Sequence, residues 1–191
     1  MSTPKVKLTA DIIRGFVGSC LIKRFDGASQ IPKFHEEMWD LCTSDTPFVA
    51  VSAPRGHAKS TSISLSYVLA CVLFRDRRFV LLVSDTESQA SMFLGQIAQE
   101  LSENEDIINL FHIKRDPDSG KVKFIKESAT DIIVELEDGH KFRIIAKGSE
   151  PTSISFNGSR FNTFCFSHLR PRCITLCTIL YPVRLLLFLP R

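Results

Sequence analysis

The stretch Phe48-Val49-Ala50-Val51-Ser52-Ala53-Pro54-Arg55-Gly56-His57-Ala58-Lys59-Ser60-Thr61 decides the fold. Phe48 to Ser52 is short, apolar and partly β-branched, the pattern of a strand buried within a parallel sheet. Ala53 to Ala58 reads as a loop. Lys59 to Phe74 is almost wholly apolar from Leu65 on and reads as a helix packed against that sheet. A loop that opens into a helix presents backbone N–H groups at the helix N-terminus, where the macrodipole favours anions. Lys59 stands where an ammonium would reach the β- and γ-phosphates of a nucleotide, and Ser60 where a hydroxyl would ligate Mg²⁺. Gly56 lets the backbone approach phosphates closely. The strict phosphate-loop pattern, G-x-x-x-x-G-K-[ST], has glycines where this chain has Ala53 and Ala58. Ala58 is the larger departure, because a Cβ restricts a position that often needs conformational freedom. The strand before and the helix after give the pattern its weight. The plain alternative is an ordinary βα turn with a capping serine and a solvent-facing lysine.

Working outward, Arg75-Asp76-Arg77-Arg78 reads as a polar turn and Phe79 to Ser84 as a second buried strand. Thr86 to Ser102 has helical spacing, with Met92, Phe93, Ile97 and Leu101 on one side. Strand, loop, helix, strand, helix begins an α/β doubly wound sheet with helices on both faces. From Lys121 to Lys147 the period changes to two. Val122 and Phe124 suit one short strand, and Ile132 to Leu136 another. Asp138-Gly139 then suits a hairpin turn before Phe142, Ile144 and Ile145 return, an antiparallel excursion on the core. Upstream, Asp11 to Arg24 and Pro32 to Cys42 read as helices. Phe34, Met38, Trp39 and Leu41 are expected on the buried side of the second. The chain thus divides into a helical segment at 1–46, a sheet core at 47–152 and a tail at 153–191.

The chain has 191 residues, 44% hydrophobic and 24% charged, enough for one globular domain with a real core. A net charge of +3 carries no argument for a nucleic-acid partner by itself. The six cysteines form no CxxC pair and have no zinc spacing, and no secretory leader is seen at Met1 to Ala10, so a reducing cytoplasm is the expected setting. The tail differs in kind. No acidic residue follows Glu150 and no lysine follows Lys147, while Cys165, Cys173 and Cys177 fall within it. Its apolar run from Cys173 to Pro190 is broken by Pro182 and Arg184 and is too short for a membrane span. Out-of-frame translation is the expected origin of this tail, and a genuine cysteine-rich extension is the alternative.

The string Pro54-Arg55-Gly56-His57-Ala58-Lys59-Ser60-Thr61 resembles the variant Walker A of phage terminase large subunits, the ATPases that package DNA. Phe34-His35-Glu36-Glu37-Met38-Trp39 looks like that family's helix before the loop, which helps to enclose the adenine. Val80 to Ala90 looks like its second strand and following turn, and the hairpin from Asp131 to Ala146 also fits. The likeness covers about residues 30–152. It implies a P-loop sheet, ATP and Mg²⁺ as cofactors, double-stranded DNA as partner, and association with a portal, a small terminase subunit and further copies of the chain. The setting would be the cytoplasm of an infected or lysogenic bacterium. It further implies that Pro54 to Thr61 surround the phosphates, that Lys59 binds and polarises the γ-phosphate, and that Ser60 holds Mg²⁺ with Thr61 nearby. Arg55 would act as a cis arginine finger, or would be a surface arginine. His57 is given no chemistry. Trp39 and Phe34 are weighed as core before base contacts, Ser84 and Thr86 as caps before DNA contacts, and Arg75, Arg77 and Arg78 as a solvated turn.

Hydrolysis in that family needs an apolar strand ending in paired acids, one supporting Mg²⁺ and one activating water. Phe161-Asn162-Thr163-Phe164-Cys165-Phe166-Ser167-His168-Leu169 stands where that strand is expected, with Ser167-His168 in place of the acids. The family's nuclease domain is also missing, so a truncated motor with ATP binding and greatly reduced turnover is expected. Another P-loop ATPase, helicase-like, or a non-enzymatic nucleotide-binding remnant are the competing readings.

Overall fold

Phe79–Ser84 (β2) is the strand on which the sheet is built, because its residues are buried on both faces: Val80 and Leu82 on one, Leu81 and Val83 on the other. The structure, a computed structural model, describes residues 7–25, 30–45, 48–51 and 56–149, together with the backbone of short strands at 155–156, 159–160, 173–179 and 184–188. Lys141–Gly148 (β5) runs parallel to β2, with Phe79 opposite Arg143 and Ser84 opposite Gly148. Asp131–Glu135 (β4) is antiparallel to β5, and Lys126–Ser128 (β3) is antiparallel to β4. These four strands form a mixed sheet. Phe48–Val51 (β1) belongs to the same sheet beyond the backbone strands Cys173–Ile179 (β8) and Arg184–Phe188 (β9), in the order β1-β9-β8-β2-β5-β4-β3; Ser155–Phe156 (β6) and Ser159–Arg160 (β7) pair separately.

Two expectations about the hairpin change. It is not an excursion, because β5 is itself an inner strand, parallel to β2 and antiparallel to β4. The short strand is also not at Val122 and Phe124. Val122 makes only an isolated bridge to Arg115, and pairing begins at Lys126. An edge strand needs backbone partners on one side and no apolar face, so Lys126-Glu127-Ser128 gives no period-two signal. The turn at Asp138-Gly139 is as expected, closed by the Gly139 N–H on the Leu136 carbonyl at 2.9 Å.

Ala10–Phe16 (α1) is capped by the Thr9 hydroxyl, then rewinds as a π-helix over Val17–Leu21 and a 3₁₀ turn over Ile22–Arg24. Lys33–Thr43 (α2) follows Pro32 and buries His35, Met38, Trp39 and Cys42, the i, i+3, i+4, i+7 stripe of one helix face. Leu41 falls off that stripe and is 50% exposed, so it does not join the buried side. The helix after the loop runs as a π segment, Ser60–Tyr67, and an α segment, Val68–Leu73 (α3). Glu87–Glu103 (α4) buries Ala90, Phe93, Leu94, Ile97, Glu100 and Leu101, while Met92, expected inside, is 53% exposed. Glu105–Phe111 (α5) was not legible in the sequence pattern. Asn104 caps it by accepting the Ile107 N–H, and Ile107 and Ile108 are its buried pair.

The core helices do not divide between the two faces as expected. Their buried apolar residues join one cluster with Val80, Leu82, Ile132, Val134, Phe142, Ile144 and Ala146. The other face carries a small cluster of Leu81, Val83 and Ile145 with Phe79. Beyond it the sheet is charged. Asp131 accepts from Arg143 Nε and Nη2 at 2.8 and 2.6 Å and pairs with Lys126, and Glu135 pairs with Lys114 and Lys141. A face built from ion pairs offers a second helical layer little apolar area to bury. Among the described residues all the core helices therefore lie on one side.

Candidate phosphate-binding loop

Gly56 and Ala58 turn the chain into the helix through the left-handed region, at φ 81° and 47°. Gly56 is exposed, and a Cβ placed there would meet nothing within 4 Å. Ala58 pays the steric penalty that glycine avoids, about 1–2 kcal/mol for an L-residue. Its carbonyl accepts the Ser62 N–H at 2.8 Å and so closes the first turn. Lys59, Ser60 and Thr61 sit half-buried on that turn, at the positive end of the helix dipole. Pro54 and Arg55, with the arginine-finger role expected of the latter, lie outside the described residues, as does the stretch Phe161 to Leu169.

Helix α2 holds this turn from behind. His35 is 2% exposed, and its Nε2 lies 3.0 Å from the His57 carbonyl. A carbonyl only accepts, so Nε2 carries the proton and Nδ1 is left bare, buried and without a hydrogen-bond partner. Burial pulls the His35 pKa below its ordinary value, against the opposing effect of the hydrogen bond to His57. Four residues on, the Trp39 indole N–H donates to the Ser62 carbonyl at 2.9 Å, and the Tyr67 hydroxyl donates to the Cys42 carbonyl at 2.9 Å. Trp39 is wholly buried, which makes it core, as weighed from its spacing; Phe34 is half-buried, its ring 5.3 Å from that of exposed His57. The anchoring role of His35 was not read from the sequence. Its spacing with Trp39, one helical turn apart on the buried face, was the signal for it.

The other candidate residues take structural places. Thr86 is the cap of α4, its hydroxyl accepting the Gln89 N–H at 3.3 Å, while buried Ser84 donates to the Gln89 side chain. Capping thus holds at Thr86 and not at Ser84. Arg75 pairs with Asp138 at 2.6 Å, Arg77 with Asp76 at 3.3 Å, and the Arg78 carbonyl accepts the Arg143 N–H. That run fastens the turn to the sheet and is only partly solvated.

Mg²⁺ typically keeps several waters and takes one or two protein groups plus substrate phosphates. Ser60, half-buried beside Lys59 at the first helical turn, would be one such group, and among the described residues no cluster of three or more His, Cys, Asp or Glu could hold a metal ion. Among the described residues no helix is long and apolar enough to cross a membrane. Comparison of the chain with protein families, curated proteins and solved structures gave no match.

Proposed function

We propose that the chain is the ATP-binding part of a viral DNA-packaging motor of the terminase large-subunit kind, built on a P-loop sheet. The observation that carries the reading is the left-handed turn through Gly56 and Ala58, which opens into a helix beginning with Lys59, Ser60 and Thr61. Lys59 places its ammonium against the terminal phosphates, and the backbone N–H groups of the turn cradle them. Ser60 is the protein ligand for Mg²⁺, which when bound neutralises phosphate charge. Arg55 is assigned to the charge that develops on the γ-phosphate. Portal, small subunit, DNA and further copies of the chain are the partners this reading implies.

Turnover is proposed to be low, because Ser167-His168 stand where the family's pattern has its acids. The acid-free composition after Glu150 also favours a second reading, a nucleotide-binding remnant without motor activity. Steady-state ATP hydrolysis and double-stranded DNA binding of the purified chain separate these. The motor reading expects DNA binding that weakens steeply with salt, with hydrolysis near background. Robust turnover abolished by Lys59→Ala would contradict the assigned loss of hydrolysis. Absence of DNA binding at low salt would leave the remnant reading.

A further inference from the structure

We propose that the π segment Ser60–Tyr67 is a two-state element: phosphate in the loop converts it toward α winding, and Trp39 carries that change into α2. The inference rests on the nucleotide reading above and adds its conformational response. π-Helices occur mostly as single-turn bulges, frequently at functional sites, whereas this segment is eight residues long and starts next to Lys59. Its sequence, Ser-Thr-Ser-Ile-Ser-Leu-Ser-Tyr, is rich in residues whose hydroxyls compete for backbone groups and hold little preference for regular helix.

Two side chains hold it in the π state. In an α-helix the carbonyls of Thr61 and Ser62 would accept from the N–H groups of Leu65 and Ser66. Here the Thr61 carbonyl takes the Ser66 hydroxyl at 2.8 Å, and the Ser62 carbonyl takes the Trp39 indole at 2.9 Å. At the start of the segment Ser62 bonds back to Ala58, an α-type step, and at its end the Val68 N–H is shared between Ile63, a π-type step, and Leu65, a tighter one. The Ser62 hydroxyl is wholly buried without a partner, so the π state leaves a polar group unsatisfied. Shifting the register by one residue rotates the helix start by about 100° relative to the part beyond it. That rotation re-aims Lys59 and Ser60. The shift toward α winding requires that α winding point more N–H groups at the bound phosphate, because only such a differential contact can shift the population.

Trp39 is the single tryptophan of the chain, so its emission reports on the clamp directly. The intact chain is titrated with ATPγS and Mg²⁺, following calorimetric heat and Trp39 fluorescence in parallel. The expected result is a change in Trp39 emission that saturates together with the heat. Ser66→Ala removes one clamp and is expected to bind about fivefold more tightly, the equivalent of one modest hydrogen bond, with a smaller emission change. Heat without a change in Trp39 emission overturns the two-state element and leaves the nucleotide reading standing. So does a Ser66→Ala affinity equal to or weaker than the parent's. Absence of heat overturns the nucleotide reading, and the element with it.

Discussion

Ala58 is the residue at which sequence and geometry meet most directly. The pattern identified it as a departure from glycine, and the structure holds it at φ 47°. Glycine there would remove a left-handed penalty of about 1–2 kcal/mol while adding back roughly 0.5–1 kcal/mol of unfolded-chain entropy. The first term is the larger, so Ala58→Gly is expected to stabilise the fold by ~0.5–1 kcal/mol, read as a higher urea midpoint. An unchanged or lower midpoint would mean that the turn is not held left-handed. His35 yields a pH dependence. Its folded pKa lies below the ordinary 6.5, so the unfolded chain binds the proton more readily. Stability is therefore full above 6.5 and is lost as pH falls through 6.5 toward the lowered folded value. His140, also lowered by burial and by Arg75 and Arg78, adds to the same slope. His35→Gln should flatten part of the fall in urea midpoint between neutral and mildly acidic pH. A slope identical to the parent's would remove His35 as its source.

Among the elements, a tight junction lies where β5 ends against the start of α4. A Cβ on Gly148 would lie 2.7 Å from the Glu87 nitrogen and 3.2 Å from the Thr86 carbonyl carbon. Both contacts are backbone and cannot swing aside. The Ser149 N–H donates to the Ser84 carbonyl at 2.8 Å, and Lys147 and Glu87 lie 3.8 Å apart, which hold the same junction. Gly148→Ala is expected to cost about 1–3 kcal/mol by overpacking and to speed hydrogen exchange in the first turn of α4. A loss below a few tenths would show the junction to be looser than this. Elements with a strong local pattern were legible from sequence: Phe79 to Ser84 as a strand, and Glu87–Glu103 within a residue or so of its expected span. Elements whose existence rests on partners were not. Lys126–Ser128 has no apolar face because it is an edge, and the seven residues of Glu105–Phe111 are too few for a periodic signal. Side-chain orientation slipped for the same reason at Leu41 and Met92, where hydrophobicity alone suggested burial and the helix stripe places them outside.

For the whole molecule, the sequence indicated an α/β domain, and the mixed sheet with its helices agrees. It did not indicate that the core would lie on one side of that sheet, because the ion pairs around Asp131 and Glu135 are cross-strand partnerships that no single strand displays. The candidate loop was read from the sequence as a contiguous segment, Pro54 to Thr61, of which Gly56 to Thr61 lie among the described residues, since a βα turn with lysine and serine at its end is a local pattern. Its support from His35 and Trp39 was not, because that depends on how α2 packs against the helix after the loop. The proposed reading of the chain as a nucleotide-binding part of a packaging motor stands or falls on whether this loop holds phosphate. The most direct measurement is calorimetric titration of the intact chain with ATP and Mg²⁺, set beside the same titration of Lys59→Ala. Saturable binding to the parent that is lost or weakened at least tenfold in Lys59→Ala, about 1.4 kcal/mol or more, is the expected result. Absence of binding to the parent, or equal affinity in the two, would contradict it.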